Sequence, residues 1–416
     1  MASIVQRKTS YCVVYGYIAE NGRRKQKWET YHSEKEAINR KMDIENPNVF
    51  VGTNPKIRTL NELLDYYTDV HGRMHWTMST YSENVSLMRN YIRPYIGEVD
   101  LRRINKRFMS AYFQKLVTIP RAENKYKPMD TGRIGKPTIE KIHAILRSTF
   151  HQATHWGIME VNPVSHITLS KPYRNPKRML TAEQVLAVIN EAIRQENDAL
   201  ALLTEFAFAC SMRLGEILGL QWSEVDLEKG CLEVKQELSR VSIESLEKLN
   251  FKSVYHVFQP EKPDSKSRLV LKEPKTYSSR RIVYLPQSFI HSLKNWKEKQ
   301  QTQKELSGKE LDTFNLVIVK EDGRPFCPRK ATGLFEQMVT EMGLPKVHFH
   351  SLRYSSTSYK LILSQGDVKT VQGDTGHAQP NMVLSVYAQI QDSKRRMLAE
   401  TLDNDFFLKN PRVKGD

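Results

Sequence analysis

The sequence predicts a multidomain, mainly α-helical protein: a small N-terminal β-sheet-plus-helix unit, an all-helical domain, and a mixed α+β domain that is mostly helical. Three observations lead there. At 416 residues the chain is too long for one ordinary domain. Apolar residues recur at helical spacing over most of its length, while runs of aromatic and β-branched residues are confined to the first 31 positions and to short segments between 231 and 285. Two stretches without periodicity, at 46–55 and 171–179, interrupt the pattern.

Residues 10 to 18 form a strand candidate that ends at Glu20-Asn21-Gly22, a good hairpin turn, and Lys25 to Tyr31 supplies the returning strand. A short extra strand fits residues 3 to 7. Ser33 and Glu36 then have the spacing of a capping box at the start of a helix. From Thr59 the spacing turns helical, with Leu60, Leu63, Leu64 and Tyr67 on one face and Thr59 and Glu62 placed to cap it. Helices follow at Thr80 to Ile92, Lys106 to Leu116 and Thr138 to Trp156, the last with a stripe of Ile139, Ile142, Leu146, Phe150 and Ala153. The proline- and glycine-rich segment 118–137 carries five Lys and Arg and reads as a basic loop. Thr181 to Gln184 is a second capping box, opening a helix with Val185, Val188 and Ile189 inward. Ala199 to Ala209 is apolar almost all round, which requires a sizeable core. Strand candidates at 231–236, 268–271 and 281–285 precede helices near 287–304, 328–342, 350–364 and 380–389.

Composition narrows the function. The net charge is +16, and residues 1–178 hold 30 Lys and Arg against 16 Asp and Glu, whereas the rest hold 33 against 31. Such a balance suits a polyanion gripped by the first part of the chain. Cys12, Cys210, Cys231 and Cys327 are scattered singly, which suggests neither a zinc site nor a disulfide framework. Cys210 is expected to be a small buried side chain. The start of the chain lacks a secretory pattern, and no apolar stretch of about 18 residues is free of charge, so an intracellular protein without a membrane span is expected.

Candidate chemistry gathers in the last half. Arg213 stands where an apolar helix gives way to a polar corner, so it must be paired or face a cleft, and Glu216 lies one turn later to hold it. His350 and Arg353, three apart, can share a helical face and meet one phosphate. Gly376-His377 precedes Tyr387 by ten residues, with Pro380 between them. No carboxylate cluster suggests bound metal.

The order Arg213, His350-x-x-Arg353, Gly376-His377, Tyr387 resembles the tyrosine recombinase (phage integrase) family, of the conjugative-transposon and temperate-phage type. Met212-Arg213-Leu214-Gly215-Glu216-Ile217 is similar to its first box. Pro274 to Pro286 is similar to its lysine-bearing β-hairpin, which makes Lys275 the match and Lys272 the competing choice. Ser351, Tyr354 and Thr375 stand where the family often has Asp, His and Leu.

The resemblance implies a division into an arm-site DNA-binding domain (1–55), a helical core-binding domain (56–170), a linker (171–179), a catalytic domain (180–390) and a C-terminal tail (391–416). It also implies an integrase of a mobile element that cuts and rejoins double-stranded DNA at core and arm sites through a 3′-phosphotyrosine, without cofactor or metal. A homotetramer on DNA, an accessory excision or DNA-bending protein, and a bacterial cytoplasmic, nucleoid-associated location belong to the same expectation. The catalytic set would be Arg213, Lys275, His350, Arg353, His377 and the nucleophile Tyr387, supported by Glu216. A type IB topoisomerase uses similar residues, and a DNA-binding regulator with a dead catalytic domain is the rival from another class. The separate N-terminal unit argues against the first, and the filled catalytic positions argue against the second.

Overall fold

A computed structural model describes residues 2–7, 10–18, 24–45, 57–122, 132–169, 178–274, 279–307, 314–376 and 391–407. The N-terminal unit is an antiparallel sheet of β1 (Ala2–Arg7), β2 (Ser10–Ile18) and β3 (Arg24–Tyr31), with β2 in the middle, followed by α1 (Glu34–Glu45). The expected turn at 20–22 lies outside the described residues. Its core is small: Val13 and Ala37 are fully buried, with Ile4, Tyr11, Tyr15 and Tyr31 around them.

A polar brace compensates. Glu29 on β3 accepts hydrogen bonds from Arg40 Nε on α1 at 2.8 Å, from Tyr15 at 2.8 Å and from Tyr31 at 3.0 Å. The hydrogen bond from Arg40 is the main reason the Glu29 carboxyl sits at about 2, below its ordinary 4.5. A carboxylate depressed in the folded state adds stability above its unfolded pKa and loses it as pH falls through its folded one. Amide protection of β2 and β3, corrected for intrinsic exchange, should therefore weaken as pH falls from about 4.5 towards 2. Glu29→Gln should show that loss already at neutral pH, and unchanged protection in the variant would remove the brace from the account.

The helical region begins at α2 (Leu60–Tyr67), closed by the expected Thr59–Glu62 capping box. A π-helical turn at Thr68–Gly72 carries the chain into α3 (Arg73–His75). α4 (Met78–Leu87), capped by Thr77, runs through a second π-helical turn at Met88–Ile92 into α5 (Arg93–Ile96). Pro94, which has no N–H to donate to the preceding turn, accounts for that second widening. α6 (Lys106–Leu116) and α7 (Lys136–His155) complete the bundle, and the five stripe residues expected in α7 are all buried.

The third part opens with α8 (Ala182–Arg194), whose Thr181–Gln184 capping box is present, and the buried α9 (Asp198–Ala209). Then come α10 (Leu214–Leu218), β4 (Val225–Asp226), β5 (Cys231–Val234), β6 (Glu237–Ser242), α11 (Ile243–Lys248), β7 (Val254–Val257), β8 (Ser267–Lys272) and β9 (Arg281–Tyr284). α12 (Gln287–Ser307), α13 (Pro328–Glu341), α14 (Ser351–Leu363), α15 (Val368–Thr375) and α16 (Gln391–Asp405) follow. Cys210 is fully buried, as expected. The helix expected at 380–389 lies outside the described residues. No helix among the described residues is long and apolar enough to cross a membrane.

Two findings depart from expectation. The strands flanking Lys275 do not pair as a hairpin: β8 lies between β6 and β7 in one sheet, while β9 pairs with β5 in another, in the order β4-β5-β9. Both edges of β8 are occupied, so no edge is left for β9. The second departure is the segment 237–257, where no element was expected. Together with β8 it forms a small lobe that packs on the helical region: Val241, Leu246, Leu249 and Val270 are buried in the same core as α2 to α7. Burying each such aliphatic side chain stabilises the union by about 1.5–3 kcal/mol. The Ser82 hydroxyl lies 2.9 Å from that of Ser242 and 2.7 Å from that of Ser245, and Lys252 Nζ donates to the Met74 carbonyl at 2.9 Å.

Candidate active site

Arg213 is the N-cap of α10, and a sharp corner delivers it there. Ser211, two residues earlier, adopts φ +49° although it is not glycine, a backbone state that costs about 1–2 kcal/mol. It is held by two partners: its hydroxyl lies 2.6 Å from that of Ser356, and its carbonyl accepts from Arg353. Behind the corner, β6 presses on α10 so closely that a Cβ at Gly219 would stand 2.7 Å from the backbone nitrogen of Leu238. Only glycine fits there.

Glu216, wholly buried, holds Arg213 as expected. Its Oε1 accepts from Arg213 Nη1 at 2.6 Å, and its Oε2 accepts from the Arg213 backbone N–H at 3.0 Å. A second arginine, absent from the sequence-based set, shares the carboxylate: Arg281 Nη2 reaches Oε2 at 3.1 Å. Burial opposes ionisation of Glu216, but Arg281 and then Arg213 outweigh it and hold the carboxyl below its usual range. Arg213 also donates to the Ser279 hydroxyl at 3.1 Å and to the Gly376 carbonyl at 3.4 Å.

Arg353 projects from the first turn of α14 and is 2% exposed. Its guanidinium donates to the carbonyls of Ser211 and Thr375. Burial, and next the charge of Arg213, push it down to about 9, so it still carries its charge at neutral pH. His350 caps the same helix, exposed, with its ring edge-on to Tyr354 at 5.1 Å between centroids. His350 and Arg353 both line a cavity of about 210 Å³ with Met212, Leu214, Thr332, His348 and Phe349.

α15 ends at Thr375, buried, with its hydroxyl donating to the Val371 carbonyl at 2.7 Å. Gly376 then turns the chain at φ +63°, a left-handed conformation that favours glycine. Lys275, His377 and Tyr387 lie outside the described residues, although Pro274 and Gly376, the neighbours of the first two, are described. Lys272, the competing lysine, is committed to an ion pair with Glu237.

Arg213 and Arg281 thus share the Glu216 carboxylate and the Arg353 charge lies close enough to act on it, an excess of two positive charges among the four groups. The nearby Asp374 carboxylate is matched by Lys360 at 2.5 Å and does not reduce it. Such a cluster suits a phosphate. Among the described residues no group of three or more His, Cys, Asp and Glu is placed to hold a metal ion.

The family model described as "Phage integrase family" matches residues 178–394, more than half of the chain. The chain belongs to the phage integrase family. This integrase is 26% identical to a "tyrosine recombinase XerC-like" protein of Caldanaerobacter subterraneus over 302 residues, 71% of this chain and 72% of the relative. It is 22% identical to the ICEBs1 integrase of Bacillus subtilis, over 78% of this chain and 77% of the relative. Among solved structures it shares its fold with the Tn1549 transposon integrase in complex with transposon right end DNA, at TM-score 0.60 and 18% identity over 82% of this chain and 99% of the other. A lambda integrase dimer bound to a core site aligns at TM-score 0.52 and 17% identity over 94% of this chain and 95% of the other. The integrase is accordingly a tyrosine recombinase, an enzyme that cuts and rejoins DNA at specific sites.

Proposed function

We propose that this chain is the integrase of a bacterial mobile element and that it integrates and excises that element through a 3′-phosphotyrosine at Tyr387. The observation that carries the reading is the cluster of three guanidiniums, Arg281 and Arg353 buried and Arg213 half-buried, about the buried Glu216 carboxylate. A phosphodiester has one negative charge and gains a second as a nucleophile adds to phosphorus. An excess of two fixed positive charges therefore favours the transition state over the bound substrate.

Arg213 and Arg353, with His377, hold the nonbridging oxygens. Tyr387, with an unperturbed pKa of about 10, attacks phosphorus as His350 takes its proton. The O5′–phosphorus bond breaks, and Lys275 gives a proton to the departing oxygen. Rejoining is the same step reversed by an incoming 5′-hydroxyl. The bond energy stays in the phosphotyrosine, so neither ATP nor a metal takes part.

Residues 1–55 would bind arm sites, 56–170 the core site, with 171–179 as linker, 180–390 as catalytic domain and 391–416 as tail. The basic excess of the first 178 residues supports that division. Strand exchange between two duplexes needs four protomers. Met397, Leu398, Leu402, Phe406 and Phe407 of the tail are exposed, a surface fitted to a neighbouring protomer. An accessory excision or DNA-bending protein would set direction, and the reaction would take place in the cytoplasm on nucleoid DNA.

The test is a nicked suicide duplex carrying the crossover site mapped at the ends of the element, incubated with the full chain in EDTA and without ATP. A covalent adduct on the 3′ phosphate is expected. No adduct, or one attached to the 5′ end, would overturn the reading.

A further inference from the structure

Two pairs of histidines in the helical region stand four residues apart, and in both the ring centroids are 4.5 Å from each other: His71 with His75, and His151 with His155. Residues at i and i+4 share a helical face, so such a pair can present two nitrogens to one point. The surroundings separate the two pairs. His71 is half-buried in the π-helical turn Thr68–Gly72 and stacks on Tyr67, 5.0 Å between centroids and 10° from parallel, so its ring belongs to the core. His151 and His155 are both exposed and span the last turn of α7, with their rings crossed at 88°.

The Nε2 atoms of His151 and His155 stand 3.2 Å apart. Two nitrogens bound to one zinc ion at about 2.0–2.1 Å and at the tetrahedral angle stand about 3.3–3.4 Å apart. The observed spacing is thus close to the bite of a metal chelate. As a plain hydrogen bond it requires one ring to carry its proton on Nε2 and the other on Nδ1. With both protons on Nδ1, two lone pairs meet and a cation is what fits between them.

The backbone beneath the pair is fixed. Phe150 and Ala153 are fully buried on the opposite side of α7, and the Ala153 carbonyl accepts from the N–H groups of Ile158 at 2.9 Å and Met159 at 3.3 Å, which closes the end of the helix. Binding an ion would therefore order two side chains and little else. Imidazole nitrogens suit zinc, copper and nickel ions, whereas magnesium and calcium take oxygen ligands. Two protein ligands leave the other positions of a tetrahedral ion to water or to a group from outside the chain.

We infer that His151 and His155 form a two-nitrogen site for a transition-metal ion of the zinc class, which staples the last turn of α7. The site lies apart from the cleavage chemistry and does not depend on it.

The test uses the tag-free full chain, stripped of metal and titrated with zinc chloride by calorimetry, beside His151→Ala, His155→Ala and the double variant. Alanine is the best helix former, so at two exposed positions it keeps α7 folded. Each single variant should bind one zinc ion fewer per chain than the parent. The double variant should bind no fewer than either single one, because the two rings serve one ion. Zinc should also slow amide exchange at residues 152–155 in the parent and not in the variants. Equal stoichiometry in parent and variants, or losses that add in the double variant, would overturn the site. So would exchange at 152–155 that zinc leaves unchanged in the parent, or that magnesium chloride slows as much as zinc does.

Discussion

Phenylalanine at Tyr387 should leave a protein that binds its crossover site as the parent does and forms no covalent adduct at all. The substitution removes one oxygen, the atom that bonds to phosphorus in the proposed reaction, and keeps the aromatic ring. Without it the two-step reaction has no first step, and longer incubation does not restore a product. DNA affinity should stay within about threefold, because binding is carried by the summed phosphate contacts of a chain with a net charge of +16 and a phenol adds no charge at neutral pH. The measurement is a denaturing gel of the suicide reaction beside a binding titration at fixed salt. An adduct that survives the change would move the nucleophile to another tyrosine.

The second large effect is expected at Arg213. Alanine there removes the donors that reach Glu216, Ser279 and Gly376, and the charge that would meet the phosphate. Deleting one such donor from a preorganised site costs about 10²–10³-fold in rate. The loss should sit at the upper end, because Glu216 keeps Arg281 as a partner while the excess positive charge drops from two to one. Affinity should change little, since residues 1–178 hold nearly all of the basic excess, and the salt dependence should lose about one phosphate contact. Arg213→Lys should be nearly as slow in cleavage, because an ammonium cannot span the same three partners in one plane. Binding lost as badly as cleavage would show that the two halves do not divide the work in this way.

Much of the frame can be read from local pattern. The capping boxes at Thr59 and Thr181 and the α7 stripe depend on spacing alone, and all three are present. The Arg213–Glu216 pair was legible for the same reason, since i and i+3 on a helix are neighbours. The segment 237–257 was not. Leu238 and Val241 are buried on β6, but their three-residue spacing follows neither strand alternation nor a sustained helical stripe: Leu238 enters the core beside α10, while Val241 enters that of helices far away in sequence. Arg281 was missed because Arg280-Arg281 looks like solvated charge. The available signal was strand geometry: adjacent residues at the start of a strand point to opposite faces, so one of two arginines before a buried Val283 must turn inward. Which inward partner awaits it depends on Glu216, 65 residues earlier.

The lobe that joins the helical region also changes what counts as a separable part of this protein. A gene exchange with its junction at the proline-containing stretch 171–179 would keep the helical region contiguous, yet would strand Val241, Leu246, Leu249 and Val270 against a foreign surface. Nor can residues 237–272 be moved with the helical region, because Leu238, Phe258 and Leu271 are buried in the core that holds α8 to α10, so this segment ties the two cores together. Shuffling between relatives should therefore tolerate replacement of the N-terminal unit more readily than replacement of the helical region. A new recognition surface on that region has to evolve in place, by point changes on its outer faces.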